Sequence, residues 1–152
     1  MVSWVVKDGA ELSAKDKYEI IKLRIQVFQV QMDCVYQDAD GRDLLEDTYH
    51  LEGWIDNVDH PVSYLRMIFK DNVVVIGRVF VLKEFRNMKL GDALLTKALD
   101  VIDELKIERG TNMIELHSQY YIRNWYAKHG FKMIGEPFYE AKTKHIMMFK
   151  DI

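Results

Sequence analysis

The chain has 152 residues, of which 49% are hydrophobic and 30% charged, and its formal net charge is −3 at pH 7. This length suits a single domain over residues 1–152, and the slightly acidic balance argues against a nucleic-acid binder, which needs a basic face. The single cysteine, Cys34, excludes a disulfide framework. The sequence has neither a membrane-spanning apolar run nor a signal peptide pattern, which predicts a cytoplasmic location with no membrane partner.

The N-terminal part reads as a short strand followed by an amphipathic helix. Residues 3–6 are predicted as the strand, which the turn residues 7–9 end. Ser13 is a predicted helix N-cap because Asp16 follows three residues later. The helix should run to about Gln31, since apolar residues recur at helical spacing: Ile20, Leu23, Val27 and Val30.

A polar, acidic stretch over residues 33–47 follows, with a turn at Asp40-Gly41 and one helical turn expected near Leu44. Three strands come next, and turn signals at residues 56–61 and 71–72 separate them. They are predicted at Tyr49–Ile55, Val62–Phe69 and Val73–Leu82. Their short connections predict an antiparallel meander.

The C-terminal half alternates helices and strands. A helix is predicted from Leu90 to about Lys106, and a strand that enters the middle of the sheet is predicted at Asn112–His117. A second helix should run over Gln119–His129 and stop at Gly130. The closing strands are predicted at Phe131–Ile134 and His145–Phe149. A long excursion over residues 135–144 should join these two strands. Periodicity alone therefore predicts a mixed α/β domain.

The turn between the third meander strand and the helix at Leu90 is the first candidate site. A helix start exposes unpaired N–H groups and the positive end of the helix dipole, which suits a phosphate. Arg86 and Lys89 would add charge, and Gly91 would let a ligand approach the backbone. Taken alone, the pattern fits equally an ordinary strand-to-helix turn.

Two motifs together resemble the GNAT superfamily of acyl-CoA-dependent N-acetyltransferases. Arg86 and Gly91 match its Arg/Gln-x-x-Gly-x-Gly/Ala diphosphate loop, although Lys89 replaces the first glycine. Tyr126, with Gly130-Phe131 after it, matches the Tyr-x-x-x-Gly-Phe signature. The resemblance implies the GNAT acyl-CoA N-acyltransferase fold, an α/β (α+β) domain with a mixed central sheet of six or seven strands and about four helices.

The acidic stretch is similar to that of the ElaA-like branch of GNAT proteins. The shared residues are Val27-Phe28, Tyr36-Gln37, Asp40-Gly41 and Asp43. Gln31 stands where the branch has a glutamate, and an amide cannot take up a proton as a carboxylate does.

The resemblance implies acetyl-CoA as the cosubstrate. Its pantetheine arm would pair with strand backbone at residues 79–81, and its diphosphate would lie on the following turn. The residues expected to contact it are Val79, Phe80, Val81, Arg86, Asn87, Met88, Lys89, Leu90, Gly91, Asp92 and Gln119.

Three residues are candidates for acid–base chemistry. The resemblance implies that Tyr126 is the general acid, because a phenol can donate a proton to a departing thiolate; simple packing on its helix face is the alternative. Glu115 and His117 share one side of their strand and are candidate bases, directly or through a water. For His117, a role as a strand-end cap is the alternative.

The branch resemblance also implies residues that line the amine pocket, with a solvated loop face as the alternative. They are Asp38, Asp40, Glu140 and His145. The expected partner is a small-molecule or peptide amine, and a homodimer remains open. No metal is expected, since the five histidines lack paired ligand spacing.

The leading hypothesis is an N-acetyltransferase that transfers acetyl directly to a primary amine. The second is a non-catalytic acyl-CoA-binding or sensing domain on the same fold, which Gln31 in place of glutamate supports. A phosphate-binding nucleotide protein is the third, although the turn lacks the Gly-Lys-Ser/Thr ending of a P-loop.

Overall fold

The chain folds around one mixed seven-stranded sheet with the strand order β1-β2-β3-β4-β5-β7-β6. The computed structural model describes every residue from Met1 to Ile152. The strands are β1 (Val2–Asp8), β2 (Thr48–Ile55), β3 (Ser63–Lys70), β4 (Val73–Val81), β5 (Met113–Gln119), β6 (Lys132–Glu140) and β7 (Thr143–Asp151). The helices are α1 (Ala14–Arg24), α2 (Leu90–Arg109) and α3 (Arg123–Lys128), with a π-helical segment at Ile25–Gln31 and 3₁₀ segments at Lys83–Met88 and Tyr120–Ile122.

The start of α1 is capped as its sequence predicts. The Ser13 hydroxyl accepts a hydrogen bond from the Asp16 amide, and the Asp16 carboxylate accepts one from the Ser13 amide, each at 3.0 Å. The helix also ends at Gln31, but its last seven residues are π-helical, with the Met32 N–H donating to the Val27 carbonyl at 3.1 Å. A π-helical segment holds an extra residue in a turn, which redirects the side chains after it.

The meander β2-β3-β4 is antiparallel, as predicted, and β5 pairs with β4 in parallel. This parallel pairing covers only residues 73–76 of β4 and 113–116 of β5, and the two strands then diverge. At the same level β4 contains a bulge against β3, where Arg78 adopts a left-handed φ of 55°. A bulge increases the local twist and bend of a strand. The bend accompanies a gap between β4 and β5 in the middle of the sheet.

Each face of the sheet carries its own hydrophobic core. Helix α2 contributes its predicted apolar stripe to the larger core, where Leu94, Ala98 and Ile102 are fully buried. Helix α1 packs on the opposite face through Ile20, Leu23 and other apolar residues. None of the helices combines the length and apolar character needed to cross a membrane.

Three predicted elements are wrong in detail. No helical turn forms near Leu44, where residues 43–47 form turns instead. Gln119 closes β5, and the following helix begins as a 3₁₀ turn and ends at Lys128. The excursion over residues 135–144 is absent because β6 continues to Glu140 through a bulge at Gly135, whose φ is +75°. A two-residue turn then leads into β7.

Candidate active site

A groove of about 560 Å³ occupies the gap between β4 and β5. It brings together nine of the residues selected from the sequence: Val79, Phe80, Val81, Arg86, His117, Gln119, Tyr126, Glu140 and His145. Glu115 is half-buried and does not line the groove, although it shares the strand of His117. The groove between the diverging strands therefore brings together residues that are far apart in the sequence, such as Val79 and His145, which are 66 positions apart.

Tyr126 reaches the groove from α3. Its side chain is only 5% exposed and packs edge-on against Phe131, while its hydroxyl has no hydrogen-bond partner in the protein. Burial raises the pKa of this phenol above its ordinary value. Gly130 ends the helix with a φ of +91°, and a Cβ there would collide with the Lys150 side chain. Tyr126 thus presents a protonated, unpaired hydroxyl to the groove.

The turn before α2 is exposed and uncapped. Lys89 occupies the N-cap position with a left-handed φ of 56°, the conformation that a glycine would adopt most easily, and no side chain caps the first amides of α2. A Cβ on Gly91 would lie 3.5 Å from Trp125, which is an ordinary contact. Arg86 lies at the same end of β4, where its Nε donates to the Val81 carbonyl at 3.0 Å. The free amides and two cations fit a diphosphate.

Asp92 connects this turn to α3. Its Oδ1 accepts hydrogen bonds from Trp125 Nε1 at 2.7 Å and from His129 Nε2 at 3.0 Å, and the bonds from His129 and Trp125 lower the pKa of the carboxyl. The remaining residues of the predicted turn, Asn87, Met88 and Leu90, flank the uncapped amides without lining the groove. Asp92 therefore holds the first turn of α2 against the helix that carries Tyr126.

Replacing Lys89 by glycine tests the charge of the turn. If this turn holds the diphosphate of acyl-CoA, as the family resemblance implies, acyl-CoA should bind several-fold more weakly at low salt because one nearby cation is lost, and the difference should shrink at high salt. Stability should stay equal or rise, since glycine adopts a left-handed φ without strain. Calorimetric titration with acetyl-CoA at two salt concentrations measures both trends. Lys83→Gly, at the start of the preceding 3₁₀ segment, is the control for the loss of a surface charge. If both variants bind acetyl-CoA with equal affinity, Lys89 has no specific contact with the ligand.

His117 and Glu140 form a pair on the β5–β6 side of the groove. His117 Nδ1 donates to Glu140 Oε1 at 2.9 Å, so the Nε2 of the neutral imidazole carries the free lone pair. His145 lies next to them, with its Nε2 3.9 Å from Glu140 Oε2 and its Nδ1 donating to the Thr143 carbonyl at 2.7 Å. The Phe138 ring contacts both imidazoles. One carboxylate thus orients a histidine whose other nitrogen can accept a proton.

The opposite wall of the groove is apolar and aromatic. Phe28 contacts Tyr36 and Phe80 edge-on, with ring centroids 6.5 and 6.1 Å apart. Met32 and Cys34 complete this wall, and burial raises the pKa of the Cys34 thiol. Phe28 belongs to the π-helical segment, whose extra residue sets the direction of the side chains that follow.

Three arginines and three aspartates form a partly buried cluster beside this wall, and two of the arginines, Arg66 and Arg78, also line the groove. Arg24 is fully buried and binds Asp43 at 2.6 Å and Asp38 at 3.0 Å. Arg66 binds Asp40 at 2.8 Å and Asp43 at 3.0 Å, and Arg78 lies 3.3 Å from Asp38 with its guanidinium 4.7 Å from the Tyr36 ring centroid. We call these residues the Arg–Asp cluster: Arg24, Arg66, Arg78, Asp38, Asp40 and Asp43. Its formal charges cancel.

The cluster fixes the stretch over residues 33–47, which contains the predicted pocket residues Asp38 and Asp40. Burial disfavours the ionised form of Asp40, but the hydrogen bonds and charge of Arg66 outweigh it and lower the pKa to about 2. Asp38 and Asp40 therefore bind arginines and lie outside the groove lining. They were selected from the sequence as pocket residues, and in the structure they hold the backbone behind it.

His50 supports the cluster from β2 and should make stability depend on pH. Its Nε2 donates to the Asp43 carbonyl and its Nδ1 accepts from the Tyr64 hydroxyl, each at 2.8 Å. Burial lowers the pKa of His50, so the unfolded chain binds a proton before the native chain does as the pH falls below about 6.5. We expect the free energy of unfolding to decrease between pH 7.5 and 5.5, by at most about 1.4 kcal/mol per pH unit for one proton. Urea unfolding should show a shallower decrease for His50→Gln, and equal slopes would contradict this origin.

The Arg–Asp cluster and the aromatic wall were not found from the sequence. One signal was present: Arg24 interrupts the buried stripe of α1, and Arg66 and Arg78 interrupt apolar strands. Such cations must be paired, and the acidic stretch at residues 38–43 supplies the partners. The wall has no comparable signal, because its aromatic residues resemble ordinary core residues.

Comparisons with known proteins identify relatives of this chain in sequence and in fold. Residues 20–152 match the family model of the acetyltransferase (GNAT) domain. Protein ElaA of Escherichia coli is 34% identical, with the match covering all of this chain and 98% of that protein, and its crystal structure superimposes with a TM-score of 0.88 over 99% of both chains. The crystal structure of an acyl-CoA N-acyltransferase from Pseudomonas aeruginosa is similar, with 33% identity, a TM-score of 0.89 and 99% coverage of both chains.

Proposed function

This chain belongs to the GNAT acyltransferase family, and on that premise we propose that it transfers an acetyl group from acetyl-CoA directly to a primary amine. One observation carries the proposal. The groove between the diverging strands β4 and β5 runs past the Tyr126 side chain, and Arg86 lies at its end beside the uncapped start of α2. That arrangement suits the chemistry of a thioester joined to a diphosphate.

The donor lies along β4 as an additional strand. Beyond Ile76, β4 has no partner on its β5 side, so backbone groups over residues 77–81 are available to the pantetheine amides. An N–H in this segment can also polarise the thioester carbonyl. The diphosphate lies on the first amides of α2, with Arg86 and Lys89 beside it.

The two proton-transfer groups face the groove from different elements. His117 takes a proton from the ammonium group of the acceptor, and Glu140 stabilises the resulting imidazolium through Nδ1. The free amine attacks the thioester carbonyl, a C–N bond forms, and the C–S bond breaks. Tyr126 then donates its proton to the departing thiolate. The tyrosinate takes up the second proton that the attacking nitrogen loses as the amide forms, and the imidazolium of His117 releases its proton to solvent. Glu115 has no part in this scheme because its side chain is outside the groove.

The second candidate function is a non-catalytic acyl-CoA-binding or sensing domain. The sequence observation that supports this function is Gln31 in place of a glutamate. However, Gln31 is exposed at the end of the π-helical segment and does not line the groove. The paired His117 and Glu140 offer a base that does not depend on residue 31. This geometry favours the enzyme.

Release of CoA from acetyl-CoA, measured over a panel of primary amines, tests the proposal. Turnover with an amine supports it, whereas binding of acetyl-CoA without turnover of any amine would favour the sensing domain. Absence of acetyl-CoA binding would contradict both functions. Repeating the assay with longer acyl-CoA donors measures whether the enzyme is selective for acetyl.

A further inference from the structure

The two walls of the groove differ in chemistry. On one side lie the apolar side chains of the π-helical segment, the following stretch and β4, which are Val27, Phe28, Met32, Cys34, Tyr36 and Phe80. On the other side lie His117, Glu140 and His145. A molecule between them meets an aromatic surface on one flank and a carboxylate with two imidazoles on the other.

The charges that line the groove are few. Glu140 is its one lining carboxylate. Arg66 and Arg78 also line it, but Asp40 and Asp43 neutralise Arg66, and Asp38 and Asp40 neutralise Arg78. Arg86 lies at the diphosphate end, beside Val81. The acceptor part of the groove therefore offers one negative group and no unpaired cation.

We propose that the acceptor is an aralkylamine, a single primary ammonium joined by a short apolar linker to an aromatic ring. This assignment rests on the proposed amine acetylation. The ring packs on Phe28, Tyr36 and Phe80, where edge-on and offset aromatic contacts are favourable. The ammonium binds Glu140, the one lining carboxylate of the groove, on the wall that also carries His117.

Other common amines lack matching groups. A polyamine carries several ammonium groups and needs several carboxylates, but the groove supplies one. An amino acid brings a carboxylate that needs an excess of positive charge. Aspartates already balance the charges of the nearby Arg66 and Arg78, so only their Nε–H groups, which have no hydrogen-bond partner, could receive it. An amino sugar needs many hydrogen-bonding partners, whereas the wall opposite Glu140 is mainly apolar. Each of these would leave a polar group unpaired on binding.

The experiment compares four amines in the acetyl-CoA assay. They are 2-phenylethylamine, phenylalanine, propylamine and spermidine. Phenylalanine differs from 2-phenylethylamine by one carboxylate, and propylamine lacks the ring. We expect kcat/KM for 2-phenylethylamine to exceed each of the others by about tenfold or more, since ring burial and an unpaired carboxylate each change affinity by at least that factor. A higher kcat/KM for phenylalanine or spermidine would overturn the assignment.

A variant separates ring recognition from amine recognition. Phe28→Ala should raise KM for 2-phenylethylamine about tenfold and leave KM for propylamine nearly unchanged, and Phe28→Leu repeats the test if the alanine variant does not fold. Equal changes for both amines would contradict an aromatic subsite.

Calorimetry with 2-phenylethylamine and the CoA-loaded protein distinguishes the two proposals. Binding without turnover would support the acceptor class and contradict the transfer reaction. If 2-phenylethylamine neither binds nor reacts while another amine is acetylated, the acceptor class is wrong and the transfer function stands.

Discussion

Replacing Tyr126 by phenylalanine should lower kcat by about a hundredfold or more and leave acetyl-CoA affinity nearly unchanged. General acid catalysis contributes roughly 10²- to 10⁴-fold, and the phenol is the group we assign to protonate the thiolate. The variant should fold normally, because the Tyr126 hydroxyl has no hydrogen-bond partner in the protein and its ring contacts are retained. Steady-state kinetics and calorimetric titration with acetyl-CoA measure the two effects separately.

Tyr121→Phe is the matched control. Tyr121 also lines the groove but is 70% exposed, so removal of its hydroxyl should change kcat little. Because burial raises the pKa of Tyr126, the wild-type phenol should keep its proton through the mildly alkaline range, and kcat should not fall there for lack of an acid. Equal kcat for wild type and Tyr126→Phe would exclude the phenol from the mechanism.

Replacing Arg24 by methionine should lower the free energy of unfolding by about 3–5 kcal/mol, the usual cost of removing one partner from a buried ion pair. Arg24 is fully buried, and its loss leaves Asp38 and Asp43 with fewer cations in a site that water barely reaches. The stretch over residues 33–47 should loosen with it, and this stretch carries Cys34 and Tyr36 of the groove wall. Urea unfolding measures the free energy, and KM for the amine should rise in parallel.

Arg42→Met makes the same change at a partly exposed ion pair. Arg42 lies 3.1 Å from Asp47, where about a third of each side chain is exposed, so the expected loss is below about 1 kcal/mol. Addition of Asp43→Asn to Arg24→Met should restore part of the stability, because the uncompensated charge is removed. If Arg24→Met costs no more than Arg42→Met, the Arg–Asp cluster does not stabilise the fold as described.

Local patterns predicted most of the elements because local chemistry decides them. The capping pair of Ser13 and Asp16 and the spacing of Leu94, Ala98 and Ile102 place α1 and α2 correctly. The prediction failed at β6, where Gly135 and Pro137 suggested a loop. On an edge strand both residues are tolerated, since glycine allows a bulge and proline needs no partner for its missing N–H.

The geometry of the site depends on long-range features of the sheet, which local sequence patterns do not predict. Periodicity cannot show that β4 and β5 pair over residues 73–76 and then separate, because register and twist arise from the whole sheet. The family resemblance selected Tyr126 and Glu140, strand alternation selected His117, and the structure brings the three side chains to one groove. The same resemblance selected Asp38 and Asp40, whose partners could have been inferred from arginines inside apolar segments.

The unpaired side of β4 should also make the resistance of the protein to proteolysis depend on donor binding. Without a donor, the amides over residues 77–81 that point away from β3 should exchange with solvent faster than the amides over residues 73–76 that β5 protects. In the proposed donor geometry, a bound acyl-CoA would supply the missing partner and add about 2.7 kcal/mol of stability at a hundred times its Kd. Resistance to proteolysis would then follow the supply of donor, and the abundance of the enzyme would rise when its thioester is plentiful.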